Sequence, residues 1–292
     1  MTPVARASDA AAMHTRAMQR VPAELARDAL GLGLRVPHYP YLFEHWPNVG
    51  YFEAISENFL GDGPVPRQTL ERVRSNYPIV LHGVGLNLLG HADLDEAYLD
   101  RLARLADAID APFVTDHLCW TGAHGVTHHD LLPLPYVDDL VEIAAKRARE
   151  VQRRLGRPFG LENLSSYVEF RESTMTEWEF YTAVVREAGC SFMLDVNNIY
   201  VSSQNHGFDP EAYVATIDFS RVLQVHVAGH TREPSGTIVD THDRPVAEAV
   251  WKLYASAWRK GGPFPTLLEW DDNIPSMPDA IAELQRARAA RA

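Results

Sequence analysis

Phe159-Gly160-Leu161-Glu162-Asn163-Leu164 carries a carboxylate and an amide at the end of a short apolar run, near the middle of a 292-residue chain. A run this short and this apolar suits a strand covered on both faces. A carboxylate taken into such an interior is costly unless something positive meets it. With 13 histidines in the chain, a metal ion shared with imidazoles is a ready partner for Glu162.

Working outward from this run, similar β-rich or apolar segments occur at 30–36, 51–57, 79–86 and 113–120 on its N-terminal side. Three more follow at 191–198, 222–229 and 266–271. Amphipathic stretches with helical spacing separate them, at 93–109, 137–155, 174–188, 246–260 and 276–291. Thr176 before Glu179 and Ser276 before Asp279 resemble capping boxes. Eight strands alternating with helices predict a single-domain (β/α)8 TIM barrel, with its site at the C-terminal face. The barrel is assigned to residues 25–292. Residues 1–24 lack periodicity and the apolar core of a signal peptide, and they read as a flexible or surface-docked N-terminal extension. The polar, turn-rich stretch at 230–245 reads as a long βα loop of the kind that carries function.

Bulk properties narrow the function classes. The 39 acidic and 27 basic residues leave a net charge of −12, which repels phosphate backbones and disfavours a nucleic-acid partner. No apolar run approaches the roughly 18 residues of a membrane span, so no membrane association is expected. Cys119 and Cys190 are too few and too far apart for a disulfide framework or a thiolate cluster. They suit a reducing compartment, and a cytoplasmic location is expected.

The strand ends carry Glu57, His82, His117, Glu162, Asp195, His226 and Glu269, and the long loop adds Asp240 and His242. In a barrel of this kind these side chains would converge on one opening. Each has an ordinary reading by itself. His82 alone could be a hydrogen-bonded core residue, Glu162 or Glu269 a salt-bridge partner, and Asp195 the cap of the next turn. Imidazoles and carboxylates crowded into one mouth are electrostatically poor unless cations hold them together. A multi-metal site is therefore expected, with Glu162 as its bridging ligand and Asp116 and Asn163 as orienting neighbours or substrate contacts. A donor set without thiolates suits Fe, Mn or Zn, and does not choose among them.

Several motifs together resemble one family. They are Leu81-His82-Gly83-Val84-Gly85-Leu86-Asn87, Asp116-His117-Leu118-Cys119-Trp120, Leu161-Glu162-Asn163 and Leu194-Asp195-Val196-Asn197-Asn198. His226-Val227-Ala228-Gly229, Asp240-Thr241-His242 and Leu268-Glu269-Trp270 complete the set. In this order, over roughly residues 30–275, the pattern resembles the DUF692 (UPF0276) family of multinuclear non-haem iron-dependent oxidases. The resemblance implies a barrel holding two or three iron ions in mixed Fe(II)/Fe(III) states, with O2 as co-substrate. It implies modification of residues, often Cys, in a ribosomally made precursor peptide, and a partner protein that presents the peptide. Its ligand positions fall on His82, His117, Glu162, Asp195, His226, Asp240, His242 and Glu269.

The alternative is a divalent-metal hydrolase or isomerase of the xylose-isomerase-like or endonuclease-IV-like barrel class, which also gathers His, Glu and Asp from many strand ends. The acidic charge speaks against the nuclease form. The three lysines, Lys146, Lys252 and Lys260, all fall in helical stretches and so speak against the isomerase form. A non-catalytic metal-storage barrel is the third reading.

Overall fold

Strands buried on both faces need helices on one side and packed side chains on the other, and the chain alternates the two kinds of element accordingly. The computed structural model describes residues 25–61, 63–123 and 126–292, with backbone only at 123 and 126–129. The extension expected over 1–24 lies outside the described residues. Eight strands among the described residues form the barrel wall: β1 Leu30–Gly33, β2 Tyr51–Ile55, β3 Ile79–Gly83, β4 Val114–His117, β7 Phe159–Glu162, β8 Ser191–Asp195, β9 Val222–Val227 and β12 Thr266–Leu268. They close in the order β1-β12-β9-β8-β7-β4-β3-β2, every pairing parallel. The protein is a (β/α)8 TIM barrel.

The described helices are α1 Tyr39–His45, α2 Pro64–Arg74, α3 Glu96–Ala108, α4 Asp138–Leu155, α5 Glu177–Ala188, α6 Val196–His206, α7 Pro210–Thr216, α8 Glu248–Gly261 and α9 Met277–Ala290. α4 shows why such segments dock on the sheet. Val141, Ala144, Ala145, Ala148, Val151 and Leu155 recur at helical spacing and are buried, and Gly156 ends the helix in the left-handed conformation at φ 61°. At α5 Thr176 and Glu179 form the full capping box.

Each wall strand begins within a residue of where the apolar pattern begins, but ends two to three residues before it does. The chain leaves the ladder there to aim its polar side chains. After β4 the expected strand over 113–120 breaks, and a hairpin of β5 Trp120–Ala123 and β6 Val126–Leu132 rises over the mouth. The long loop at 230–245 folds into a second small hairpin, β10 Thr231–Arg232 with β11 Ile238–Val239.

The barrel interior is filled in layers. Tyr51, Val80, Phe113, Leu223 and Leu267 form a buried apolar plug beneath the mouth. Gly31 makes room for it, because any side chain there would overlap the Tyr51 ring. Gly31→Ala is expected to cost about 1–3 kcal/mol through overpacking. A urea midpoint lowered with unchanged slope would register this; an unaltered midpoint would mean that the ring moves aside freely.

Candidate metal centre

Strand parity places Thr115 and His117 of β4 on the same side as Phe113, facing into the barrel, and His82 of β3 shares the side of Val80. Glu162 lies opposite His117 in the β4–β7 register. The result is a buried trio. Glu162 Oε2 lies 3.0 Å from His117 Nε2 and 3.3 Å from His82 Nε2. The far ring nitrogens are already engaged. His117 Nδ1 is 3.1 Å from the Gly83 carbonyl, which can only accept, so that nitrogen carries the proton. Thr115 Oγ1 donates to the Leu81 carbonyl and so accepts from His82 Nδ1 at 2.8 Å. Both rings thus turn Nε2 toward the mouth.

A second group shares the same carboxylate. Ligand atoms of Glu162, Asp195, His226 and Glu269 all lie within 4.8 Å of one another, and all four residues are buried. Asp195 divides its two oxygens. Oδ1 caps α6 by accepting from Asn198 N at 2.6 Å, whereas Oδ2 is buried without a hydrogen-bond partner. The capping and ligand readings of Asp195 are therefore compatible. His226 reaches the interior through an irregularity in the β8–β9 register, which brings Gln224 and His226 inward after Leu223. Its Nδ1 is 3.1 Å from Glu269 Oε2.

His242, Glu269 and Asp271 form the third group. His242 is left-handed at φ 46°, held by its N–H to the Gly229 carbonyl at 3.0 Å and by its carbonyl, which accepts from Asp271 N at 2.8 Å. Such a conformation in a non-glycine residue costs of order 1 kcal/mol and is typical of functional sites. Its Nδ1 is 3.0 Å from Asp271 Oδ2 and 3.4 Å from Glu269 Oε2. Asp240 approaches His242 Nε2 at 2.6 Å and accepts from Asn197 Nδ2 at 2.6 Å. Arg35 pairs with the far oxygen of Asp271 and donates to the Trp270 carbonyl at 3.0 Å.

Two acids expected near the mouth point elsewhere. Glu57 is not a strand-end residue, because β2 ends at Ile55 and a 3-10 turn over Ser56–Phe59 carries it outward. Its Oε1 accepts from Val84 N, Gly85 N and Tyr98 Oη at 3.0, 2.7 and 2.6 Å. Asp116 has the opposite parity to His117. It accepts from His117 N at 2.7 Å and Leu86 N at 3.3 Å, and it braces the β3 loop where a side chain at Gly83 would collide with it. Asp116 thus orients backbone and touches no ligand ring. Asn163 exchanges two 2.9 Å hydrogen bonds with the Asp195 backbone, tying the ends of β7 and β8 together. Asp271, Asn198, Thr115, Gln224 and Glu53 escaped the sequence reading. Only Glu53 had a visible signal, a lone charge within an apolar strand.

Electrostatics separates the imidazoles. Burial pushes His82 down to about 3, with His117 and His226 adding to it against Glu162, so it stays neutral. Burial also opposes charge on His117, but Glu162, Asp116 and Glu269 outweigh it and hold it at about 9. His226 and His242 are likewise held well above the usual range, against burial, by Glu53 with Glu269 and by Asp240 with Glu269 respectively. Burial, then Glu162 and Asp240, push Asp195 well above the carboxylate range. Burial pushes Glu269 upward too, yet His242 and His226 hold it well below that range.

These donors fit metal ions. His82 offers a lone pair, not a proton, to Glu162, and Asp195 Oδ2 is buried without a hydrogen-bond partner. A cation satisfies lone pairs that face one another in this way. Glu162 belongs to two of the three groups and Glu269 to two, so both carboxylates can be shared between ions. Cys119 and Cys190 are buried and free and belong to none of the groups, leaving an N/O donor set. A cavity of about 440 Å3 opens over the three groups, walled in part by Ile55, Val84, Leu131 and Leu164. A larger groove of about 730 Å3 between α2 and α3 touches none of these ligands.

The chain has relatives. Two UPF0276 proteins are similar: that of Rhizorhabdus wittichii is 49% identical over 267 residues, covering 90% of this chain and 95% of its own. That of Caulobacter vibrioides is 46% identical over 266 residues, covering 90% and 94%. Among solved structures, a D-tagatose 3-epimerase-like protein matches with a TM-score of 0.60 at 16% identity, covering 90% of this chain and 97% of that one. A xylose isomerase domain protein from Alicyclobacillus acidocaldarius matches at 0.58 and 15%, covering 90% and 99%. At such identities the likeness is one of fold. The family described as RiPP precursor modification enzyme MbnB/TglH/ChrH matches residues 29–292, and with that match across the whole barrel this chain belongs to the family, whose members modify ribosomally made peptide precursors.

Proposed function

We propose that the protein is a multinuclear non-haem iron-dependent oxidase that uses O2 to modify residues, often Cys, of a ribosomally made precursor peptide. The observation that carries this reading is the sharing of Glu162 and Glu269 among three adjoining N/O donor groups beneath one cavity. His82, His117 and Glu162 would hold one ion, and Glu162, Asp195, His226 and Glu269 a second. His242, Glu269 and Asp271 would hold a third, with Asp240 alongside His242. Bound iron supplies redox access to O2 and Lewis acidity toward a substrate thiolate or carboxylate. The rest falls to the chain. Thr115 and Gly83 fix the His82 and His117 rings, and Asn198 Nδ2 steadies Glu162 Oε1 at 3.4 Å. The apolar wall of Ile55, Val84, Leu131 and Leu164 excludes water from one side of the bound peptide residue. A mouth of this size admits a side chain and its flanking backbone, so presentation of the peptide by a partner protein fits the architecture. Two buried, unpaired thiols suit the cytoplasm.

The test is elemental analysis and Mössbauer spectroscopy of anaerobically purified protein, followed by turnover of the precursor peptide with and without O2. More than one iron per chain and product formed only with O2 and reductant are expected. Turnover under strict anaerobiosis would instead indicate a hydrolase or an isomerase.

A further inference from the structure

Glu53 lies in the barrel interior with no exposed surface, below the mouth and outside all three metal-capable groups. Its Oε2 accepts from Gln224 Nε2 at 2.8 Å and stands 3.1 Å from His226 Nε2. The Gln224 amide is also 3.0 Å from His226 Nε2, but an unprotonated Nε2 would set its lone pair against the Glu53 oxygen 3.1 Å away, so the ring N–H faces the carboxylate. His226 therefore differs from its neighbours. His82 and His117 are held at Nδ1 by a hydroxyl and a carbonyl, and they turn Nε2 to the mouth. His226 is held at Nε2 by a carboxylate and turns Nδ1 to Glu269.

We propose that Glu53 is a positioning residue of the centre: by holding His226 Nε2–H it commits Nδ1 to the ion shared with Glu162, Asp195 and Glu269. A carboxylate behind the ring also makes His226 a stronger electron donor than His82 or His117. The inference rests on the metal reading above. Stability alone does not account for Glu53. Its Oε1 is buried without a partner, and a bare carboxylate oxygen in a barrel floor destabilises the fold by an amount that an apolar residue would avoid. A feature that weakens the fold and completes a ligand is the mark of a functional residue.

Zinc, being diamagnetic, allows the ligating nitrogen of each histidine to be read by 15N NMR of the zinc-loaded full chain. The expected pattern is Nδ1 ligation with a retained Nε2–H for His226, and Nε2 ligation for His82 and His117. Glu53→Gln keeps a neutral acceptor, so Nδ1 ligation should persist while the Nε2–H resonance moves upfield. Glu53→Ala should weaken zinc at the Glu162/Asp195/His226/Glu269 group by about 10–100-fold and spare the His82/His117/Glu162 ion. His226 bound through Nε2, or unchanged zinc affinity in a folded Glu53→Ala protein, would overturn the role. If that variant does not fold, the wild-type ring pattern and Glu53→Gln decide. Failure of the wild-type chain to take up any zinc would sink the metal reading and this role together, whereas uptake with Nε2-bound His226 sinks this role alone.

Discussion

Glu162→Gln is expected to lose more than one metal ion per chain while the barrel remains folded. The substitution is nearly isosteric, and the Asn198 amide can still reach a side-chain carbonyl in place of Glu162 Oε1. What disappears is the negative charge that His82 and His117 face from 3.3 and 3.0 Å, and that the Asp195, His226 and Glu269 group shares. Outer-shell substitutions at metal sites typically cost 10–100-fold in affinity, so removal of a bridging ligand should weaken both ions by at least about 100-fold. The metal-free variant should be less stable than the metal-free parent, because the carboxylate that holds His117 at about 9 from 3.0 Å has been removed. Metal content after dialysis against a fixed free-metal buffer is the measurement. Glu269→Gln provides the contrast: it should weaken the second and third groups and spare the ion held by His82, His117 and Glu162. Full metal retention by Glu162→Gln would overturn the bridging role.

The barrel was legible in the sequence because its signal is periodic and redundant. Phe159-Gly160-Leu161 and its seven counterparts are apolar on both faces, and only a covered parallel sheet needs that. The candidate ligands were legible for a related reason: His82, His117, Glu162, Asp195, His226 and Glu269 each interrupt such a run at its C-terminal end. The errors share a cause as well. On β2 the sequence reading chose Glu57, at the apparent end of YFEAISE, whereas the inward acid is Glu53, two residues below Ile55. The strand stops at Ile55 and its parity cannot be extended past that point, so apparent position along the run misled. Asp271 acts through a loop whose course no periodicity specifies. Asp271 is placed by Arg35, more than 230 residues earlier in the chain, and that contact exists only once the barrel has closed. The short helices α6 and α7 and the hairpin over the mouth were missed because polar, turn-rich sequence hides local order that tertiary packing imposes.

The thermal stabilisation given by metal should grow steeply with pH. In the metal-free protein His117 titrates at about 9, and His226 and His242 are also held well above the usual imidazole range by Glu53, Glu269 and Asp240. Folded-state pKa values above the unfolded value of about 6.5 mean that the native state binds these protons more tightly. Their contribution to stability is complete below pH ~6.5 and is lost as pH rises through the folded values. Asp195, raised by burial with Glu162 and Asp240, acts in the same direction above the ordinary carboxylate range. Metal-free protein should therefore lose stability from about pH 6.5 upward. Loaded protein has no such protons to lose, since each ligand nitrogen and oxygen carries the ion instead. Every proton displaced on loading strengthens apparent metal affinity by about tenfold per pH unit, or about 1.4 kcal/mol at fixed free metal. With at least one proton displaced, the gap between loaded and metal-free melting temperatures should widen by several degrees between pH 6 and pH 8, values chosen to bracket the imidazole range. His82 sets an internal control: burial holds it at about 3, so it gives up no proton, and His82→Ala should lower affinity without flattening the pH slope. A gap that stays constant or narrows with rising pH would mean that the imidazoles are not the atoms the metal displaces protons from.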